Sequence, residues 1–514
     1  MKKLTWQLIG LFVVLILAAC QTQQEARLMN ADPAMGTAAP DGLAYEYAVE
    51  AEPLVAPPAP GQPPADMFFE NYGINPVVTT ADDNLSTFAI DVDTGSYTLM
   101  RRYLTDGLAV PPDSVRVEEY VNFFAQDYAR PERGAFAIHI EGAPSPYTTE
   151  PGDYLVRVGI QGYEVPEEER PNALLIFVID VSGSMASGDR LGQVKDSLNQ
   201  LVERLRPGDR IGIVVYGSSA RTVLAPSDAA EARSTILDAI DRLQPEGSTN
   251  AEDGLRVAYR MVDDYYQAGQ INRLILCSDG VANVGNTTAE TILEHARNGI
   301  SLSTFGFGMG NYNDTLMEQL ADQGDGAYAY VDNPDEARRL FVDNLTGTLL
   351  TIAKEAKIQV EFDPAVIAEY RLLGYENRDV ADEDFRNDAV DAGEIGAGHS
   401  VTALYEVRPV AGADPAGTAL TVRVRYADPD SSEVTEIAQS ASLSSFVARF
   451  TDASARFQLD ALVAEYAEIL RQSPFAEGSS LANVSAELRR VAEYLPGDND
   501  VAELLHLVDL ASER

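Results

Sequence analysis

The stretch Asn172-Ala173-Leu174-Leu175-Ile176-Phe177-Val178-Ile179-Asp180-Val181-Ser182-Gly183-Ser184-Met185 decides how the rest of the chain is read. Its apolar run, 173–179, stops abruptly at an aspartate. A run apolar on both faces belongs to a strand buried on both sides of a parallel sheet. Downstream, a helical pattern (Leu191, Val194, Leu198, Leu201, Leu205) ends at Pro207-Gly208-Asp209. Strands are predicted at 211–216, 222–224, 273–277, 301–307 and 327–331. Helices are predicted at 229–243, 251–266, 289–298, 314–323 and 334–353. This alternation predicts a doubly wound α/β domain with a mostly parallel, Rossmann-like sheet over residues 171–353.

In such a sheet the ligand sits outside the carboxyl ends of the strands. Three segments fall there: residues 180–185, Gly247-Ser248-Thr249-Asn250, and Cys277-Ser278-Asp279-Gly280. Together they carry Asp180, Ser182, Ser184, Thr249 and Asp279, all hard oxygen donors. Spacing of i, i+2, i+4 in an extended loop puts the first three side chains on one side. No Cys or His joins them, so the suited metal is a hard dication, Mg²⁺ first, with Mn²⁺ or Ca²⁺ as substitutes. The plainer reading is turn and N-cap chemistry, since Ser and Asp favour helix starts.

Order, spacing and strand context resemble the metal-ion-dependent adhesion site of von Willebrand factor A (VWA) domains. The resemblance implies that Ser182, Ser184 and Thr249 ligate the metal directly, while Asp180 and Asp279 act through water. Neutral hydroxyl ligands leave a dication poorly neutralised. It would therefore seek a carboxylate from outside, an Asp or Glu of a protein partner.

Other motifs fail. Gly306-x-Gly308-x-Gly310 follows a strand but lacks G-x-G-x-x-G spacing, and it reads as a loop turning into the next helix. There is no phosphate-binding G-x-x-x-x-G-K-[ST], and Ser182 and Ser184 lie in no G-x-S-x-G elbow. Asp91-Val92-Asp93-Thr94-Gly95-Ser96 opens like a calcium loop, but Arg102 stands where such a loop needs Glu. Capping of a helix beginning near Tyr97 is the expected role of that stretch.

Lys2 and Lys3 precede an apolar segment, 8–19, too short for a spanning helix and suited to a signal peptide. It ends in Leu17-Ala18-Ala19-Cys20, which resembles a bacterial lipobox. That resemblance implies that residues 1–20 are a lipoprotein signal peptide ending at the lipobox Cys, cleaved just before Cys20, with Cys20 lipidated as the first residue of the mature chain. It also implies an exported protein, anchored in the cell envelope at the outer membrane facing the periplasm or at the cell surface. The other cysteine, Cys277, would then be a free thiol, and its neighbours Leu274-Ile275-Leu276 predict a buried strand. Residues 21–65, rich in Ala, Pro and Gln, read as a semi-rigid tether.

The α/β module has flanks at 66–170 and 354–445. Runs at 136–140, 154–162, 357–362, 401–408 and 419–426 alternate apolar and polar residues, as half-buried antiparallel strands do. They are expected to pair into one β-sandwich with the module inserted between its halves. Residues 446–514 read as a helical C-terminal segment, with Phe446, Phe450, Phe457, Leu462, Tyr466 and Leu470 spaced for one core-packing face. Residues 85–97, 111–124, 374–378 and 391–399 resemble the flanks of bacterial YfbK-type lipoproteins with a VWA domain.

Composition narrows the function. The 514 residues include 38 Lys and Arg against 80 Asp and Glu, a formal charge of −42. About 150 residues per domain predicts roughly three domains. Such an acidic chain is no nucleic-acid binder, which needs clustered cations against phosphates. Nor would it adhere to anionic lipid through a basic patch. Two Cys and four His leave too few soft ligands for a structural zinc site. The leading expectation is a non-enzymatic adhesion or scaffolding lipoprotein that binds a protein through a metal-bridged carboxylate. A chaperone-like assembly factor for an envelope complex is the alternative. A metal-dependent hydrolase is disfavoured, because no general base or nucleophile stands at a recognisable spacing. Oligomeric state is left open.

Overall fold

The computed structural model describes residues 69–90, 93–147, 152–280, 289–293, 299–308, 313–388, 390 and 392–513. The expectations for the signal peptide, Cys20 and the tether lie outside the described residues. So do Asp91, Val92 and residues 294–298 of the expected 289–298 helix.

The α/β module is built on a six-stranded sheet. Its order is Tyr328–Val331, Ser301–Phe307, Ile271–Ser278, Ala173–Asp180, Arg210–Tyr216 and Ala220–Asp228. Neighbours are parallel except the last pair, where Ala220–Asp228 runs antiparallel along Arg210–Tyr216. Every residue of Ala173–Asp180 is buried, because both faces of the sheet are covered. The helices Arg190–Arg204 and Arg233–Asp241 pack on one face, through Val194, Leu198 and Ile236. Ala251–Tyr265 and Asp314–Asp322 pack on the other, joined there by Leu99 and Tyr103 of the N-terminal flank. Cys277 is a free, buried thiol in this core, as its apolar neighbours predict, and burial pushes its pKa up.

The flanks form two antiparallel sheets around a shared core that includes Phe88, Ile138, Val156, Ile358, Val360, Val401 and Val422. One sheet has the order Val78–Thr79, Ile367–Leu373, Ser400–Pro409, Tyr154–Gly162, Phe136–Pro144. In the other, the long strand Thr351–Phe362 pairs with Thr418–Ala427, which pairs in turn with Val434–Ser442. Along its second edge it carries first Gly393–Gly396 and then Leu85–Ala89. Strands from before and after the α/β module are thus interleaved in both sheets, as expected of an inserted module.

Three local expectations are corrected. The last helix does not run unbroken over 334–353. It is Pro334–Arg338, a π-helical turn Arg339–Asp343, and Leu345–Leu349, and the strand that follows already begins at Thr351. Asn344 leaves helical geometry, with φ −118° and ψ 29°. Thr346-Gly347-Thr348 then supplies poor helix formers. Thr348 Oγ1 donates back to the carbonyls of Leu340 and Asn344, at 3.0 Å each.

The helix expected near Tyr97 begins at Gly95, and Thr94 makes no capping hydrogen bond. Instead Glu119 Oε2 accepts from the Ser96 amide (2.7 Å), and Asp93 Oδ1 accepts from the Tyr328 amide (3.1 Å), tying the flank to the edge of the parallel sheet. The third correction is at Phe446 and Phe450, which precede the helix Ala455–Leu470 rather than lie on it. The Phe446 ring lies over Gly142, where an added Cβ would come within 2.5 Å of it.

The C-terminal helices Ala455–Leu470, Leu481–Ala492 and Asn499–Ser512 share one core with Gly95–Thr105 and Val117–Asn122. Buried ion pairs fix these parts together. Arg101 meets the buried Asp332 of the module at 2.6 Å and, at the surface, the partly exposed Glu503 of the last helix at 2.7 Å. Arg157 of the sandwich meets Asp460 at 2.8 Å, and Arg116 meets Asp314 at 2.8 Å.

Candidate metal centre

Hydrogen bonds between loops build the crevice at the carboxyl end of the parallel sheet. After Asp180 the chain turns, and the Val181 amide donates to the Tyr216 carbonyl (2.9 Å). The Gly183 amide donates to the Gly247 carbonyl (3.0 Å), and the Asn250 amide to the Gly217 carbonyl (3.1 Å). Gly217 has to be glycine, since a Cβ there would lie 2.3 Å from the Glu246 carbonyl oxygen. Asn250 caps the helix Ala251–Tyr265 by accepting from the Asp253 amide, which fixes the turn that carries Thr249.

Asp180, Ser182, Thr249 and Asp279 are buried, and Ser184 is half-buried. Asp180 Oδ1 accepts from the Ser182 amide (2.8 Å), and its Oδ2 accepts from Ser278 Oγ (3.0 Å). The hydroxyls of Ser182 and Ser184 are 3.0 Å apart. Arg190 Nη1 donates to Asp279 Oδ2 (2.6 Å) and to the Ser184 carbonyl (3.3 Å), linking the first loop to the third. Direct contacts therefore join Asp180, Ser182 and Ser184, and Arg190 bridges Asp279 to them. Thr249 reaches the same crevice on the turn that holds Gly183, without a direct hydrogen bond to the others.

Two groups were missed in the sequence, Arg190 and Ser278. Ser278 stood beside Asp279 in the quoted segment. Arg190 opens the helix after the first loop, and a lone cation so placed amid oxygen donors was the available signal.

The cluster fits a hard dication. Burial, and then the charge of Asp279, push the Asp180 carboxyl up to about 7. The Asp279 Oδ1 atom is shielded from solvent and has no hydrogen-bond partner. A buried carboxylate oxygen without a partner is costly unless a cation answers it. The donors are hydroxyl and carboxylate oxygens only. Among the described residues no group of three or more His, Cys, Asp or Glu gathers to offer a rival site. An ion here would be held by Asp180, Ser182, Ser184, Thr249 and Asp279, and it would supply a Lewis-acidic point of attachment for an external oxygen ligand.

Comparison with known proteins agrees with this architecture. Residues 175–343 match the family described as von Willebrand factor type A domain, so the module is a VWA domain, a protein-interaction or adhesion module that often carries a metal at these loops. Residues 63–157 match the family described as von Willebrand factor, and residues 347–513 the one described as Uncharacterized protein YfbK, C-terminal.

YfbK of Escherichia coli is 41% identical over 356 residues, 67% of this chain and 61% of that protein. The chain belongs to the YfbK family of VWA-domain proteins. The match spans about three fifths of that relative's length. Human inter-alpha-trypsin inhibitor heavy chain H4 is 30% identical over 192 residues, 34% of this chain and 20% of that protein. Among solved structures, a von Willebrand factor type A protein from Catenulispora acidiphila covers 76% of this chain and 88% of its own, at 18% identity and a TM-score of 0.41.

Proposed function

We propose that this protein is a non-enzymatic adhesion or scaffolding protein of the cell envelope, lipid-anchored through Cys20. It binds a protein partner through a dication held at Asp180, Ser182, Ser184, Thr249 and Asp279, and the partner supplies an Asp or Glu carboxylate. The observation that carries this reading is the paired Ser182 and Ser184 hydroxyls, 3.0 Å apart, in a crevice where Asp279 keeps a buried carboxylate oxygen without a partner. That donor set is all oxygen and partly neutral, which favours Mg²⁺ and leaves the ion short of negative charge. An incoming carboxylate supplies the missing charge. Near physiological ionic strength the net charge of −42 is screened within about 8 Å, so the local ion decides the contact.

The test is calorimetric titration with MgCl₂, followed by retention of detergent-solubilised envelope proteins on the immobilised chain with Mg²⁺ or with a chelator. Wild type should bind one ion and retain a partner only with Mg²⁺, and Ser182→Ala/Ser184→Ala should lose both while keeping its thermal unfolding profile. Retention indifferent to the chelator, or a folded double variant that still binds the ion as wild type does, would defeat the reading.

A further inference from the structure

A groove of about 700 Å³ lies between one sheet of the sandwich and the C-terminal helical segment. Side chains along a strand alternate between the two faces of its sheet. Leu155, Leu373 and Leu404 lie on the face buried beneath the C-terminal helices. The same face continues at Glu369, Arg371, Glu406 and Arg408, which form the floor of the groove.

Cross-strand register builds that floor, with Glu369 opposite Arg408 and Arg371 opposite Glu406. Arg408 is held by Glu369 (2.8 Å) and Asp153 (3.0 Å), and Arg371 by Glu406 (2.8 Å) and Glu468 (3.4 Å). Both cations are thus answered from within the fold. Glu369 and Glu406 each give Oε2 to an arginine, while Oε1 has no partner among the described residues. Their side chains keep 33% and 23% of their surface exposed.

The other wall is apolar. Ser473 Oγ accepts from the Phe475 amide (3.2 Å) and fixes the turn Pro474–Ala476. One face of the Phe475 ring rests on the Arg371 guanidinium, 4.0 Å from the ring centroid. The ring is still 42% exposed, and Phe475 is the one exposed phenylalanine among the described residues. Val77, 48% exposed, and the half-buried Tyr147 extend this surface. Glu477 is exposed, and its carboxylate has no partner among the described residues. The lining sets Asp153, Glu369, Glu406 and Glu477 against Arg371 and Arg408, a surplus of two negative charges beside uncovered aromatic surface.

We infer that this groove binds a small organic cation, an ammonium or guanidinium on an apolar or aromatic body. Phe475, Val77 and Tyr147 take the body, and the open carboxylate oxygens of Glu477, Glu369 and Glu406 accept from the head. The volume is in the range of sites that hold small organic ligands. An anion would meet like charge with both arginines already engaged, and an uncharged body would gain nothing from the carboxylates.

The probe is thioflavin T, an aromatic cation, titrated by fluorescence against the full chain, with 8-anilinonaphthalene-1-sulfonate as the anionic comparison. An ionic strength of about 0.15 M screens diffuse attraction by the net charge. Wild type should bind one thioflavin T per chain, saturably, at least about tenfold more tightly than the sulfonate, and with or without a chelator of divalent ions. Benzyltrimethylammonium should displace the dye, and toluenesulfonate should not. Phe475→Ala and Glu477→Lys, both at exposed positions, should each weaken the dye about tenfold or more. Glu433→Lys makes the same charge change at an exposed position outside the groove and should cost no more than about twofold. Circular dichroism and thermal unfolding identify a variant that has failed to fold, and Phe475→Leu replaces Phe475→Ala in that event, with a loss of about threefold expected. Unsaturable binding, equal losses in Glu477→Lys and Glu433→Lys, or unchanged affinity in a folded Phe475 variant would overturn the inference.

Discussion

Arg190 and Asp279 are 89 residues apart in sequence, and Nη1 of the first lies 2.6 Å from Oδ2 of the second. The pair is nearly dry, with side-chain exposures of 10% and 1%. A buried guanidinium therefore answers one oxygen of a carboxylate whose other oxygen has no partner. Arg190 orients that carboxylate and adds a positive charge to its surroundings, two effects that pull in opposite directions on an incoming cation.

Charge is expected to win. Arg190→Met should raise Mg²⁺ affinity about tenfold, about 1.4 kcal/mol, because like charges in a low-dielectric crevice repel strongly. Isothermal titration of the variant beside wild type measures this. A fall in affinity would mean that orientation of Asp279 is the larger contribution.

A second prediction concerns the joint between sandwich and C-terminal helices. Arg157 Nη1 donates to Asp460 Oδ2 (2.8 Å) and to Gln126 Oε1 (3.1 Å), and its guanidinium lies 5.0 Å from the Tyr128 ring centroid. Burial already pushes Asp460 up to about 6, against the opposing pull of Arg157. Arg157→Ala should cost about 3–5 kcal/mol in denaturant unfolding near neutral pH, since it strands a buried carboxylate. Arg157→Met/Asp460→Leu should recover most of that. Equal losses in single and double variants would show the pair to be uncoupled.

A third prediction is a pH slope. Burial, followed by the charges of Arg339 and Arg273, lowers His399 from 6.5 to about 4. Between those values the unfolded chain takes up a proton that the folded chain refuses. Stability from this group should therefore be lost as pH falls from about 6.5 towards 4, by up to about 3 kcal/mol. Urea unfolding of wild type and His399→Gln at several pH values isolates the contribution, because the other titrating groups are common to both. Parallel curves across that window would remove His399 as the cause.

Much of this architecture could be read directly from local sequence pattern. The apolar run before Asp180 reveals a strand covered on both faces, and alternation reveals Thr418–Ala427, whereas Tyr154–Gly162, expected to be half-buried, is covered on both faces. The oxygen donors were legible because they follow such strands at fixed spacing. What escaped is set by long-range contact. Leu85–Ala89 is too short to show a period, and Val434–Ser442 is an exposed, polar edge. The break at Asn344 depends on Thr348 bonding backwards, and the sharing of one core by Tyr97, Tyr120 and Tyr466 has no local signature. Arg190 carried only a weak local signal as a site residue, because its partner Asp279 lies at the end of another strand.

The interleaving of the sandwich also orders events during synthesis. Phe88 must pair with Ile358, about 270 residues later, so the first strand of that sheet leaves the ribosome long before its neighbour exists. In the interval Leu85–Ala89 is a naked edge able to pair with the wrong strand. The intervening module can meanwhile complete its own sheet, whose six strands all come from within it. Its two junctions end side by side, Tyr163 and Leu350 accepting from the consecutive amides of Gly398 and Ala397. Completion of the inner sheet thus gathers the two halves of the outer one, and the module serves as the template on which its own container closes.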